Sequence, residues 1–288
     1  MPVEKPYTSE IDTPTFQDVL RARQVVCRHL RPTPLYSYRG LSDLSGAEVW
    51  VKHENHQPTG AFKIRGGLNL AANLSEEEKR HGLATASTGN HGQSIAFAGQ
   101  VFGVPTLIAV PEGANPGKVA RIRSFGAQLV FHGRDYDEAR EWVIAEAGER
   151  GYRYVGPADS PLIAGVGTYS LEILEDLPDV EVILVPVGGG SGAAGACIVA
   201  KSINPAIQVI GVQAEKAPAA YLAWKSGKPA TAKMETFAEG LATRTTFETA
   251  QVILRRYLDD FVLVSEDEMK RAIVIYLQET HNLAEGAG

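Results

Sequence analysis

The chain has 288 residues, 44% of them hydrophobic and 22% charged, which is enough apolar content for a sizeable core. A formal net charge of -6 and the lack of any Lys/Arg run argue against a nucleic-acid partner. Cys27 and Cys197 have no metal-like spacing, which excludes a disulfide framework or a zinc site, and no apolar run is long enough to span a bilayer.

The opening "MPVEKPYTSEIDTPTFQDVL" is loose and Pro-containing and lacks the apolar core of a secretory leader, so a cytoplasmic enzyme is expected. Residues 15–30 have helical apolar spacing, with Phe16, Val19, Leu20 and Val26 on one side, and 47–54 then reads as a strand. The pattern alternates from there. Helices are expected at 60–74, 92–101, 117–125, 136–150, 165–177, 193–203, 218–225 and 266–281, with a short solvated one after a cap at Ser75. Strands fall at 82–87, 105–110, 127–132, near 153–158, and at 180–187, 207–215 and 261–265. Long apolar strands separated by helices predict parallel sheets covered on both faces, in two α/β domains with a ligand cleft between them.

Three loops carry candidate chemistry. In "HENHQPTGAFKIRGGLNL" (53–70), Lys63 sits among Ala61, Phe62 and Ile64, just after a turn-forming Pro58-Thr59-Gly60. A lysine that must stay charged prefers water, whereas an amine nucleophile wants dry walls that lower its pKa. Most lysines on helices are solvated charges, and Arg65 offers a structural ion-pair alternative, so composition alone leaves Lys63 open. In "ASTGNHGQSIAFAG" (86–99), Ser87, Thr88, Asn90 and His91 cluster with Gly89 and Gly92 where a strand runs into a helix. That turn suits a carboxylate or another anion; plain helix capping is the alternative, but capping needs only one such residue.

In "VPVGGGSGAAGA" (185–196), Gly188, Gly189, Gly190 and Gly192 let backbone approach a phosphate at a helix N-terminus. The same residues satisfy the dinucleotide fingerprint as Gly190-x-Gly192-x-x-Gly195, with Glu215 placed 20 residues later where a ribose-binding acid belongs. His53 and His56 are three residues apart but lack a third ligand, so no metal site is expected there.

Together the three loops resemble the fold type II pyridoxal-phosphate enzymes, most closely the threonine/serine dehydratases (threonine ammonia-lyases). The resemblance runs from "RPTPLYSY" (31–38) to "HNLAEGAG" at the end, and the motifs agree in kind, order and spacing. It implies a tryptophan synthase β-like architecture, with residues 1–52 and 153–288 forming a large cofactor-binding domain and 53–152 a small domain. It implies pyridoxal 5'-phosphate as cofactor, bound as a Schiff base to the lysine of a "SFKxRGA"-like motif, here Lys63 in "AFKIRGG", with Phe62 packed near the ring. The "SSGNHGQ"-like loop would receive the substrate carboxylate through Ser87, Thr88, Gly89, Asn90, His91 and the loop amides. Asn90 would also bond the cofactor's ring hydroxyl. Gly188, Gly189, Gly190, Ser191 and Gly192 would cradle the phosphate, and Glu285 in the closing "EGAG" turn joins the cofactor contacts.

The implied reaction is β-elimination on a small amino acid. Lys63, freed by the substrate amine, removes the Cα proton, and loss of the hydroxyl leads to a 2-oxo acid and ammonia from threonine or serine. A homodimer is usual in the family. Serine racemases of this group use a serine where Thr88 stands, which leaves racemisation open. Cation activation through Glu215 is not expected, because the matching Asp position is Tyr221. The family continues past the Glu285–Gly288 turn into a helix, a strand and an "SGGN"-like loop, whose serine meets the pyridine nitrogen. The sequence stops before these, and their omission from it is expected. It also lacks a long C-terminal regulatory extension, which favours a catabolic-type enzyme. The alternatives are a dehydratase for a hydroxyaspartate- or hydroxyectoine-type substrate, an NAD-dependent oxidoreductase, and a non-catalytic amino-acid-binding protein.

Overall fold

The computed structural model describes residues 11–288, so the reading of residues 1–10 as a loose start without a leader lies outside them. The chain begins with α1 (Phe16–Val26), β1 (Leu35–Ser37), α2 (Arg39–Ser45) and β2 (Trp50–Lys52). It continues through α3 (Lys63–Ala72), α4 (Glu76–His81), β3 (Leu83–Ala86), α5 (Asn90–Phe102), β4 (Thr106–Val110), α6 (Pro116–Ser124), β5 (Gln128–Phe131), α7 (Tyr136–Arg150) and β6 (Arg153–Tyr154). The remainder is α8 (Ser160–Asp176), β7 (Val182–Pro186), α9 (Ser191–Ile203), β8 (Gln208–Ala214), α10 (Ala219–Ser226), α11 (Glu248–Tyr257), β9 (Asp260–Val264) and α12 (Glu266–Thr280). No helix among the described residues is long and apolar enough to cross a membrane.

The strands form two separate parallel sheets, in the orders β5-β4-β3-β6 and β7-β8-β9, plus an antiparallel β1-β2 pair. Every residue of β3 and β4 is buried, as a parallel sheet covered on both faces requires. The three-stranded sheet departs from that expectation. α9 packs against β7 and β8, but Leu184 is 66% exposed and Val262 43% exposed. Alternation along β7 therefore replaces the fully buried pattern, with Ile183 and Val185 turned inward.

Between the sheets lies α8, buried continuously from Leu162 to Leu174. An amphipathic helix cannot do this; α8 is apolar nearly all round and has neighbours on every side. Glycines allow those neighbours to come close. A Cβ on Gly66 of α3 would lie 2.8 Å from the Leu162 carbonyl oxygen, and one on Gly165 would lie 2.5 Å from that of Arg65. On the other side, a Cβ on Gly195 of α9 would lie 2.8 Å from the backbone of Gly167. The helix begins at Ser160, five residues before the sequence-based boundary of 165, because Pro161 is accommodated in its first turn.

Polar packing joins α3 to α8 as well. Arg65 has no solvent exposure, and its guanidinium is held from two directions. Its Nε and Nη2 donate to the Glu54 carboxylate at 2.8 and 2.7 Å, and Nη1 and Nη2 donate to Glu172 at 2.7 and 2.8 Å. Lys52 pairs with Glu172 at 2.8 Å, so Arg65 and Lys52 face Glu54 and Glu172, while Arg23, 4.0 Å from Glu172, has its own carboxylate in Glu175 at 2.8 Å. Arg65 is thus the structural ion-pair residue of its segment. Burying these cations is tolerable only with that pairing.

The α8–α9 contact generates the first prediction. Gly195→Ala places a methyl group against backbone that cannot move aside, and a destabilisation of about 1–3 kcal/mol is expected. Denaturant unfolding of wild type and variant measures it, and an unchanged midpoint would show that the close approach carries no energy.

Candidate active site

Lys63 is the first residue of α3, and the sequence-based helix start at 60 is corrected to this position. Gly60 lies in the preceding turn with φ at +72°, and its N–H donates to the Gln57 carbonyl at 2.7 Å. The Lys63 side chain is half-buried, and its Nζ donates to Ser191 Oγ at 2.6 Å and to the Pro157 carbonyl at 3.3 Å. The Lys63 carbonyl accepts from Ser94 Oγ of α5 at 2.6 Å, which fixes the backbone under the amine. Desolvation pushes the amine down to about 8. A solvated surface lysine would show neither this burial nor this shift.

The 87–91 loop leaves the C-terminal end of β3 and becomes α5 at Asn90, two residues earlier than the apolar periodicity predicts. Its N-cap is Gly89, which makes no side-chain cap bond, so the capping explanation for this polar cluster does not hold. Ser87 Oγ instead accepts from the Gly89 N–H at 3.2 Å, and Asn90 Nδ2 donates to Glu285 Oε1 at 2.7 Å. The Thr88 hydroxyl makes no hydrogen bond among the described residues.

His91 is 8% exposed, with Nε2 at 3.2 Å from the Val155 carbonyl and 3.1 Å from Thr85 Oγ1. A carbonyl can only accept, so Nε2 carries the hydrogen. Burial, reinforced by the nearby charge of Lys63, lowers the imidazole to about 3, and it stays neutral at ordinary pH. A carboxylate at this loop would therefore meet amides and hydroxyls rather than an imidazolium.

The glycine loop leaves the C-terminal end of β7, and α9 starts at Ser191 rather than at 193. A Cβ on Gly188 would sit 2.2 Å from the Gly240 carbonyl oxygen, and one on Gly192 would sit 3.0 Å from the Phe62 ring. Gly190 has φ at +89°, in the left-handed region, and it caps α9 without any side-chain bond. The first-turn amides of α9 thus have no side-chain cap. Gly195, by contrast, faces α8. The third glycine of the dinucleotide fingerprint is accounted for by helix–helix contact, and Glu215 is exposed at the end of β8.

The structure therefore brings Lys63, Phe62, Ser191 and Gly192 together, and sets Asn90 against Glu285 at the neighbouring loop. Several residues of this site carried no signal in the sequence. Ser94 and Pro157 are far from Lys63 along the chain, and Tyr169 lies inside an apolar helix. Tyr169 packs on Phe62 with ring centroids 5.8 Å apart, and its hydroxyl donates to the Gly192 carbonyl at 3.1 Å. His53 and His56 stack at 4.9 Å instead of converging on an ion, and no cluster of metal-ligating side chains occurs among the described residues.

A half-buried amine of lowered pKa, an uncapped helix N-terminus and a glycine loop that has no room for a Cβ at Gly188 and a left-handed backbone at Gly190 fit an aldehyde-bearing cofactor with a phosphate. The site and fold thus define a pyridoxal-phosphate type of enzyme. The sequence comparisons agree: residues 26–288 match the family "Pyridoxal-phosphate dependent enzyme", and the chain belongs to it. L-threonine ammonia-lyase of Thermotoga maritima is 40% identical over 276 residues, covering 95% of this chain and 69% of that protein. L-threonine dehydratase catabolic TdcB of Escherichia coli is 36% identical over 275 residues, covering 95% and 84%. Among solved structures, serine racemase from Dictyostelium discoideum superposes with a TM-score of 0.90 at 33% identity, covering 96% of this chain and 89% of that one. The processed form of threonine deaminase isoform 2 from Solanum lycopersicum gives a TM-score of 0.90 at 31% identity, covering 100% and 87%. The dinucleotide reading is set aside by this family membership.

The lowered lysine has a consequence for stability. Its folded value of about 8 lies below the ordinary 10.5, so the unfolded chain binds more protons between those values and stability rises with pH across that window. Lys63→Met removes this contribution. The excess stability of the variant over cofactor-free wild type should shrink as pH rises from about 8 toward 10.5, as read by chemical unfolding at each pH. A pH-independent difference would mean that the amine is solvated.

Proposed function

We propose that the chain is a pyridoxal-phosphate-dependent ammonia-lyase that converts L-threonine, and also L-serine, to a 2-oxo acid and ammonia. The observation that carries the reading is Lys63, a half-buried amine of lowered pKa that bonds Ser191 of the glycine loop at 2.6 Å. The relatives named for threonine deamination support the choice of substrate. Bound here, pyridoxal phosphate supplies an electron sink for the negative charge that develops at the substrate Cα.

The chain's own residues do the rest. Lys63 Nζ would hold the cofactor through its aldehyde carbon, and as a free amine would take the substrate Cα proton as general base. Ser191 Oγ and the Pro157 carbonyl keep that amine directed into the site. Gly188, Gly189, Gly190, Ser191 and Gly192 present α9's uncapped amides to the phosphate, and Phe62 forms an apolar wall beside them. Ser87, Thr88, Gly89, Asn90 and the amide of His91 receive the substrate carboxylate. Glu285 accepts from Asn90 Nδ2 and so fixes which way that amide points.

Residues 53–152 as a small domain beside a large one formed by 1–52 and 153–288, with β6 at that boundary pairing to β3 of the small domain's sheet, and a homodimer belong to the same proposal and rest on the family resemblance; a cytoplasmic location is proposed with them. A second reading, racemisation of serine, is supported by the likeness to serine racemase from Dictyostelium discoideum, although Thr88 stands where racemases of the group carry a serine. A chiral assay of serine after incubation separates it from deamination.

Lys63→Ala is expected to abolish both ammonia release from L-threonine and the borohydride-reducible adduct. Ammonia assay and peptide mapping of the reduced protein check both, and turnover of the variant at a wild-type rate would sink the assignment.

A further inference from the structure

Two parts of the site must stand at a fixed separation, the Lys63 amine and the glycine loop, yet they belong to helices that do not follow one another in the chain. Both are attached to α8. On one side, Glu172 and Thr168 of α8 bind the Arg65 guanidinium, two residues after Lys63. On the other side, Tyr169, between those two residues in sequence, donates its hydroxyl to the Gly192 carbonyl at 3.1 Å and lays its ring against Phe62. Tyr169 is 6% exposed and Glu172 3% exposed, so neither bond competes with bulk water.

We propose that α8 is the spacer of this site, with Tyr169 the positioning residue for the glycine loop and Glu172 the positioning residue for Lys63. The inference rests on the cofactor reading above. Neither residue touches reacting atoms. Tyr169 acts through the Gly192 peptide, whose carbonyl it pins and whose ring neighbour Phe62 it supports. Glu172 acts through Arg65, which anchors the first turn of α3 and hence the direction in which Lys63 leaves the helix. The Gly66–Leu162 and Gly195–Gly167 contacts bring the helices close, but contact between backbones permits sliding, whereas these two bonds select one register.

The division of labour makes the two variants separable. Tyr169→Phe deletes one hydroxyl and keeps the ring. The loss of one buried hydrogen bond corresponds to about a 3- to 10-fold weaker hold on phosphate. Titration of cofactor-free protein with pyridoxal phosphate, and inhibition of that binding by inorganic phosphate, should both show it. Borohydride trapping at Lys63 should keep its wild-type pH midpoint in this variant. Glu172→Gln should do the opposite. Inorganic phosphate should bind as to wild type, while trapping at saturating pyridoxal phosphate slows several-fold, because the amine is misdirected.

Unchanged phosphate affinity in Tyr169→Phe, or equal losses of both properties in both variants in step with their melting temperatures, would overturn the proposal in favour of general structural support. A wild-type protein that traps no adduct at Lys63 would instead overturn the cofactor reading on which the comparison stands, and that result is visible before any variant is made.

Discussion

A guanidinium buried without exposure is the constraint around which the rest of this molecule is arranged. Moving an unpaired ion of that size into a protein interior costs several kcal/mol, so Arg65 can sit there only if carboxylates come with it. They come from the turn before α3 and from the middle of α8, and Lys52 restores neutrality. Thr33 adds its hydroxyl to Glu54 at 2.6 Å, so the segment before β1 is fastened to the same cluster. Four stretches of chain, distant in sequence, are thereby required to meet at one point. Apolar burial alone would accept many registers for α3 against α8, whereas a bidentate pair accepts very few.

Most elements of the fold were legible in the sequence because a buried parallel strand and a helix have different periods. α7 was read at its observed boundaries, and β3, β4 and β8 within a residue or two. The misses have physical causes. β1 and α2 lie on a short stretch of mixed polarity, with Tyr36 and Leu44 left exposed, so they carry little period to detect. α11 buries only Ala250, Gln251, Ile253 and Leu254, and a polar segment hides its start. The β1-β2 pairing is tertiary and has no local signature.

More informative are three helices whose starts were misplaced: α3, α5 and α9. They begin at Lys63, Asn90 and Ser191. Hydrophobic periodicity finds the apolar part of a helix. The first turns of these helices are buried largely through glycines and polar or charged side chains such as Arg65, His91, Gln93 and Ser191, with no side-chain cap to mark where they begin. The start of α8 was misplaced further still, by five residues, so the error follows weak apolar marking of a first turn and not chemistry as such. Motif chemistry found the site residues, but not the partners that hold them. Ser94, Pro157, Tyr169 and Glu172 are ordinary in their local context, and only the folded arrangement connects them to Lys63.

The glycine loop shows how one string of residues can support two readings until geometry separates them. In a dinucleotide fold the third glycine lets a helix approach a strand. Here Gly195 lets α9 approach α8, and that approach brings the Tyr169 hydroxyl within reach of the Gly192 carbonyl. The spacing of the fingerprint is met because both folds place a tight turn at a helix N-terminus. Charge is distributed on the same logic. Deep in the molecule the ion pairs are buried and mutually saturated. At the rim, Lys118–Glu239 and Arg244–Asp137 join α6 and α7 to the segment beside Gly188, and their side chains remain accessible to water. Exposed pairs of that kind contribute little and yield readily. Buried, paired charges thus fasten α3 to α8 beside the amine, whereas the segments beside Gly188 are tied to α6 and α7 only by pairs that water can reach.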